Sequence, residues 1–244
     1  MKKSVLSGRA SRCCTQKLMK YEVWEKLAHR YNRLWVQKYS LRPTRREVLK
    51  IVLPLLEKKD SARILEIGCG TGQLIREISR KYNNVRYLGI DVAENMIKIA
   101  RASNTAPGLQ FEVCPIERFK SADKYDIVIC THAFPYFPDK AGALRKIAGL
   151  CAGNARIVMV QSSTNNLKDL IINFFLKATT SRAKYPSIKE MLRLFAEAGL
   201  KVKRIGVIRE RRYMPTIALF YLCVQHHPSG IQLCAEKQRN INER

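Results

Sequence analysis

Apolar and polar positions change period along this chain, and the changes mark its elements. From Tyr21 the residues Trp24, Leu27, Ala28, Tyr31, Leu34 and Trp35 recur at steps of three and four, the spacing of one helix face. Pro43 interrupts that stripe. Thr44-Arg-Arg-Glu47 matches a capping box, which would open a second helix with Val48, Ile51, Val52, Leu55 and Leu56 on one side. Pro54 is expected to kink or end it. Beyond residue 60, short apolar runs alternate with helical stripes. Strands are expected near 63–67, 86–90, 109–113, 125–130, 155–161, 201–208 and 216–225. Helices are expected near 72–81, 94–102, 141–150, 165–178 and 187–199. This alternation predicts a parallel sheet with helices packed on it. Only Glu210-Arg-Arg-Tyr-Met-Pro215 joins the last two strands, too short for a crossover, so they must pair antiparallel. The chain divides into a basic, mobile N-terminus (1–20), a helical extension (21–59), an α/β domain (60–226) and a polar tail (227–244).

One stretch carries most of the chemistry. Ile64-Leu-Glu-Ile-Gly-Cys-Gly-Thr-Gly-Gln73 is a short strand followed by three alternating glycines. Such a loop lets a ligand lie directly on the backbone. A second strand, Val85-Arg-Tyr-Leu-Gly-Ile-Asp91, ends in a carboxylate about 20 residues on, where a ribose diol would be held. The dinucleotide fingerprint G-x-G-x-x-G would place its last glycine at position 73, which is Gln73, and no Gly-Lys-Ser/Thr follows for a P-loop. Glu66, ahead of the loop, suits a positively charged ligand better than a pyrophosphate.

With these residues the chain resembles the class I S-adenosylmethionine-dependent methyltransferases from about residue 60 to about 225. The nearest likeness is to quinone-biosynthesis-like and other small-molecule enzymes. The resemblance implies a Rossmann-like, doubly wound, seven-stranded and mostly parallel sheet whose last strand is antiparallel. It implies S-adenosylmethionine as cofactor. Gly68, Cys69, Gly70 and Gly72 would carry its methionine part, with Glu66 toward the amino group and Asp91 on the ribose. Val92 and Met96 would pack on the adenine, with Ile116, Glu117 and Thr131 completing the site. Family members often carry an aspartate near the position of Pro115, and here it is missing. Ile129-Cys-Thr-His-Ala-Phe-Pro-Tyr-Phe137 leaves the fourth strand at its carboxyl end, where ligands of open α/β sheets bind. His132, Phe134 and Tyr136 should therefore lie near the transferred methyl. His132, ordinarily titrating near ~6.5, is the candidate base, and Tyr136 would orient the acceptor. In such enzymes segments placed like 21–59 and 163–186 form a lid, so the apolar residues of Ile171-Ile-Asn-Phe-Phe-Leu176 are expected to face the pocket.

Composition adjusts this reading in two places. The net charge is +25, with 16 basic and 5 acidic side chains in residues 1–60 and 13 and 5 in residues 181–244. Such a charge attracts RNA or an anionic membrane surface, although the basic residues are dispersed rather than clustered with aromatics. The eight cysteines form no Cys-x-x-Cys, which suggests reduced thiols in the cytoplasm. No His or carboxylate cluster has metal-ligand spacing, and no apolar run approaches the ~18 residues of a membrane span. The expectation is a cytoplasmic enzyme that methylates a small molecule. An RNA- or ribosome-associated methyltransferase is the first alternative and a non-catalytic cofactor-binding module the second. Oligomeric state is not legible.

Overall fold

The computed structural model describes residues 22–180, 183–208 and 214–224. The segments read as a mobile N-terminus and a polar tail lie outside the described residues. Helix α1 (Glu22–Tyr31) leads through a π-helical turn (Gln37–Leu41) into α2 (Arg42–Leu56). The alternating body follows: β1 (Ala62–Ile67), α3 (Gln73–Ser79), β2 (Val85–Asp91), α4 (Glu94–Ser103), β3 (Leu109–Val113) and β4 (Tyr125–Thr131). It continues with α5 (Lys140–Leu150), β5 (Cys151–Ser162), α6 (Leu167–Thr180), α7 (Ile188–Glu197), β6 (Leu200–Ile208) and β7 (Ile217–Val224).

The seven strands form one sheet in the order β3-β2-β1-β4-β5-β7-β6. Neighbours from β3 to β5 pair in parallel, whereas β7 runs antiparallel to both β5 and β6. The expected doubly wound, Rossmann-like sheet is therefore present, with its last strand reversed. Both faces are covered over the central strands β1, β4, β5 and β7, which is why these read as nearly continuous apolar runs, whereas the edge strands β3 and β6 are largely exposed. Successive residues divide between the layers. Leu65, Ile67, Val128, Ile157 and Phe220 pack with Leu144 and Ile147 of α5 and Met191 and Phe195 of α7. Ile64, Ile127, Ile129, Val158 and Leu219 pack with Val48 and Val52 of α2, Ile75 and Ile78 of α3, and Ile97 of α4. A one-residue slip would exchange the two sets, so the register is firmly specified.

The N-terminal extension departs from expectation. Leu41 already has helical dihedrals, and Pro43 sits in the first turn of α2, where no intrahelical N–H is needed. Pro43 therefore does not break the chain's helical path, and Thr44 is not the cap of a capping box. Thr44 is buried and turns its hydroxyl toward the sheet, while Glu47 pairs with Lys50 at 2.7 Å. Pro54 lies inside α2, which ends two residues later. Trp35, expected on the same helix face as Trp24 and Tyr31, is 55% exposed, because α1 ends at Tyr31 and a turn at residues 32–34 separates Trp35 from it.

Candidate functional site

The strand order reverses between β1 and β4, the point where open α/β sheets form a crevice at the carboxyl ends of their strands. The glycine loop fills one side of it. Gly68 N and Cys69 N both donate to the Ile90 carbonyl, at 2.8 and 3.1 Å, tying the loop to the end of β2. Gly68 has φ +72°, and a Cβ there would fall 2.3 Å from the Ala133 Cβ, so only glycine lets the β1 and β4 loops meet. Gly72 has φ +69° and begins α3, with Phe111 and the Asn104 amide filling the space a side chain would need. Gly70, also at positive φ, keeps an open face toward Tyr31, 3.6 Å from where its Cβ would stand.

Two carboxylates face this loop. Asp91 accepts from Gly70 N through Oδ2 and from Ala93 N through Oδ1, each at 2.9 Å. Burial raises its pKa, and the backbone donors of Ala93, Gly70 and Val92 oppose the rise. It thus braces the loop and closes the first turn of α4 at once. Glu66 is almost fully buried, and the Tyr87 hydroxyl donates to its Oε2. Burial pushes the Glu66 carboxyl up to about 8, with the Tyr87 hydrogen bond as the main opposing influence.

Across the crevice, His132 has φ +57°, uncommon for a non-glycine residue, and its N–H donates to the Val160 carbonyl at 2.7 Å. Its Nε2 lies 2.8 Å from the Thr44 hydroxyl, so a side chain of α2 orients the ring. The ring is half-buried between the loops, and that enclosure lowers its pKa to about 4. The ionisation expected near ~6.5 is therefore displaced, because desolvation penalises imidazolium and no carboxylate compensates. Tyr136 follows on a 3₁₀ turn, its ring edge-on to Trp24 of α1 at 5.5 Å, and Trp24 meets Tyr31 edge-on at 6.2 Å.

These groups surround one cavity. Its walls include Gly68, Gly70, Asp91, Val92, Met96, Ile116, Glu117, Thr131, His132 and Tyr136. Glu66 and Cys69 line a smaller pocket that shares Tyr31, Leu41, Gly68, Thr131 and His132 with it. Gly72 lines neither and serves packing behind the loop. Phe134 also turns away into the core, against Phe137. Of the stretch 163–186 the cavity takes Tyr185, with Ser162 just before it, while Ile171, Phe174 and Phe175 point to solvent. Sequence reasoning missed Thr44 and Tyr87. Thr44 looked like a helix cap, and Tyr87 like an ordinary strand aromatic 21 positions from the carboxylate it serves. Its register partner across β1 and β2 is Ile64, two residues before Glu66 on the same strand face, a proximity visible only once the strands are paired.

The arrangement fits a nucleoside that carries positive charge. The Asp91 carboxylate and the Glu66 carboxyl stand at the loop end with Arg45 beside Glu66, Val92, Met96 and Ile116 form an apolar side, and Gly70 leaves backbone accessible. Comparison with known proteins points the same way. Residues 58–199 match the family model described as a methyltransferase domain. A malonyl-acyl-carrier-protein O-methyltransferase of Bacillus cytotoxicus is 27% identical over 179 residues, 72% of this chain and 62% of that protein. A ubiquinone biosynthesis O-methyltransferase of Aeromonas salmonicida is 30% identical over 154 residues, 58% of this chain and 63% of that protein. The chain thus spans just under two thirds of the length of these two relatives. The magnesium protoporphyrin IX methyltransferase of Synechocystis PCC 6803, solved with bound S-adenosylhomocysteine, superposes with a TM-score of 0.67 at 16% identity, covering 86% of this chain and 99% of that one. The chain belongs to the methyltransferase-domain family, with the class I fold and S-adenosylmethionine as its cofactor.

Proposed function

We propose that this protein transfers a methyl group from S-adenosylmethionine to oxygen on a small, mostly apolar acceptor. The observation that carries the reading is the cavity's wall opposite the glycine loop. It is built from Trp24, Val36, Leu41, Pro135, Tyr136, Phe137 and Tyr185, and its described lining contains no Lys or Arg. A phosphate backbone or a free carboxylate group would call for such cations, whereas an aromatic or polyprenyl-like molecule would be content here. The choice of oxygen rests on the two sequence relatives, both named as O-methyltransferases.

In this reading Asp91 accepts from the ribose, Gly68 and Gly70 give the methionine part room, and Glu66 faces its amino group. Val92, Met96 and Ile116 hold the adenine between them, with Glu117 and Thr131 at its margins. The cofactor supplies an electrophilic methyl group on a positively charged sulfur. The protein's remaining tasks are to align the acceptor, exclude water and take up the acceptor's proton. Trp24, Tyr31 and Tyr136 offer π faces and edges suited to an aromatic acceptor and to a nearby cation. Of the expected lid segment, residues 22–41 cover the cavity, contributing Trp24, Tyr31, Val36, Ser40 and Leu41 to its wall, while α2 packs on the sheet.

His132 is the group that takes the proton. With its pKa lowered to about 4 the ring is neutral at pH 7 and has a free lone pair to offer, although the same burial makes it a weaker base than an exposed imidazole. Accepting at Nδ1 requires that Nε2–H donate to Thr44, which makes Thr44 a positioning residue. The test is label transfer from methyl-labelled S-adenosylmethionine, with purified protein and a cell extract split into organic-soluble, protein and RNA fractions. Label in the organic fraction supports the reading. Label confined to RNA would replace it with a nucleic-acid acceptor.

A further inference from the structure

We infer that α6 docks the protein on an anionic lipid surface beside the cavity mouth. The helix is inside out. Leu167, Leu170, Ile171, Phe174 and Phe175 fall at i, i+3, i+4, i+7 and i+8, one continuous stripe, and they are 71%, 53%, 50%, 68% and 67% exposed. An ordinary surface helix turns such a stripe inward. Here the inward side is polar. Asp169, fully buried, accepts from Thr216 N at 2.9 Å, from the Thr216 hydroxyl at 3.1 Å and from Asn165 N at 3.1 Å. Asn173, one turn on, donates to the Thr164 hydroxyl at 2.9 Å. These anchors fix the helix's rotation, so the apolar stripe cannot roll inward without leaving a buried carboxylate unsatisfied.

Charge selects the occupant. Between Asn165 and Lys189 the sequence holds five Lys or Arg residues and one carboxylate, and that carboxylate is the buried Asp169. Residues 30–46 hold six Arg or Lys and no carboxylate, of which Arg45 is largely buried and paired with Glu77 and Arg46 stands near Glu47, and they include Trp35, which is also more than half exposed. Both segments reach the same cavity, through Tyr185 beyond α6 and through Val36 next to Trp35. Aromatic and branched side chains flanked by cations are the composition of an element that lies in the headgroup–acyl boundary of an anionic bilayer. Two neighbouring phenylalanines, Phe174 and Phe175, project from the stripe into solvent. A deformable lipid surface accommodates that shape, while a folded partner would need a matching groove. On this surface an apolar acceptor would enter the cavity directly from the lipid. The docking itself stands on α6 and the charge, independently of which acceptor is methylated.

Vesicle sedimentation of the full chain tests it, using phosphatidylcholine alone and phosphatidylcholine with about 30% phosphatidylglycerol. The protein should pellet with the anionic vesicles, only weakly with the neutral ones, and progressively less as salt rises. Phe174→Asp combined with Phe175→Asp should lower the bound fraction at least ~10-fold while S-adenosylhomocysteine binding by calorimetry is unchanged. If that double variant fails to fold, Phe175→Ser alone is read in the same assay. Undiminished vesicle binding by a folded variant would overturn the proposal, since bulk charge would then suffice. So would the absence of vesicle binding, whether the chain is monomeric or light scattering shows a dimer that the substitutions split.

Discussion

Asp91 holds two backbone N–H groups, and both belong to elements that shape the site. Replacing it removes the proposed ribose acceptor and loosens the Gly70 turn together. Asp91→Ala should therefore weaken S-adenosylmethionine binding by about 1.5–3 kcal/mol. An unchanged dissociation constant would remove Asp91 from the cofactor site. Glu66 makes a separate prediction, through pH. Its carboxyl titrates at about 8 in the folded protein, well above the ordinary value of 4.5. Between those values the folded state binds more protons than the unfolded one, so this group's contribution to stability falls as pH rises. Glu66→Gln keeps the shape and abolishes the titration. Relative to wild type, it should gain stability steadily as pH is raised from about 5 to 8.5, measured by urea unfolding. A constant difference across that window would mean that Glu66 is not held protonated. His132 works in the opposite sense. Its folded pKa near 4 lies below the ordinary 6.5, so its contribution is complete above 6.5 and is lost as pH falls toward 4. If it is the base, His132→Ala should lower turnover by roughly 10²–10⁴-fold with cofactor affinity nearly intact. The wild-type rate should then show no ionisation of this ring near ~6.5. A mutant within about threefold of wild type would leave His132 a packing residue.

At the scale of elements, α2 is the least expected participant. Its Thr44 hydroxyl is the contact that joins the N-terminal extension to His132. Thr44→Val preserves the branched shape and removes the hydrogen bond, at a cost of about 0.5–1.5 kcal/mol in stability. Turnover should fall while S-adenosylhomocysteine binding holds, and Thr44→Ser should restore it. Equal loss in both variants would mean that packing, not the hydroxyl, matters. The sheet was legible because its central strands are covered on both faces and its strands are bounded by glycine, proline and charge. The expected 109–113 strand falls on β3, and the others differ only at their ends. β5 starts earlier than its apolar run because Cys151 pairs with Tyr125 ahead of an irregularity in register. The glycine loop and Asp91 were legible for a related reason, since each side chain or its absence meets a steric demand of the local chain. Thr44 was not legible, because the same T-x-x-E spacing serves a helix start and, here, a helix interior. The direction of α6 was hidden too. Periodicity reveals a stripe but not the side on which it lies, and only the contacts of Asp169 and Asn173 with strand ends decide that.

For the molecule as a whole, the net charge of +25 and the cavity chemistry point to different partners. Such a charge invites a polyanion, while the described lining of the larger cavity carries no Lys or Arg. A lipid surface outside and an apolar acceptor inside reconcile the two, and no described helix is long and apolar enough to cross a bilayer. Which ligand the glycine loop holds nevertheless decides the function first. Titration calorimetry of the full chain with S-adenosylhomocysteine and, separately, with NAD measures this directly. One S-adenosylhomocysteine should bind per chain, with affinity reduced in Asp91→Ala, and NAD should produce no binding heat. Saturable binding of NAD by a folded chain that ignores S-adenosylhomocysteine would contradict the assignment of the site.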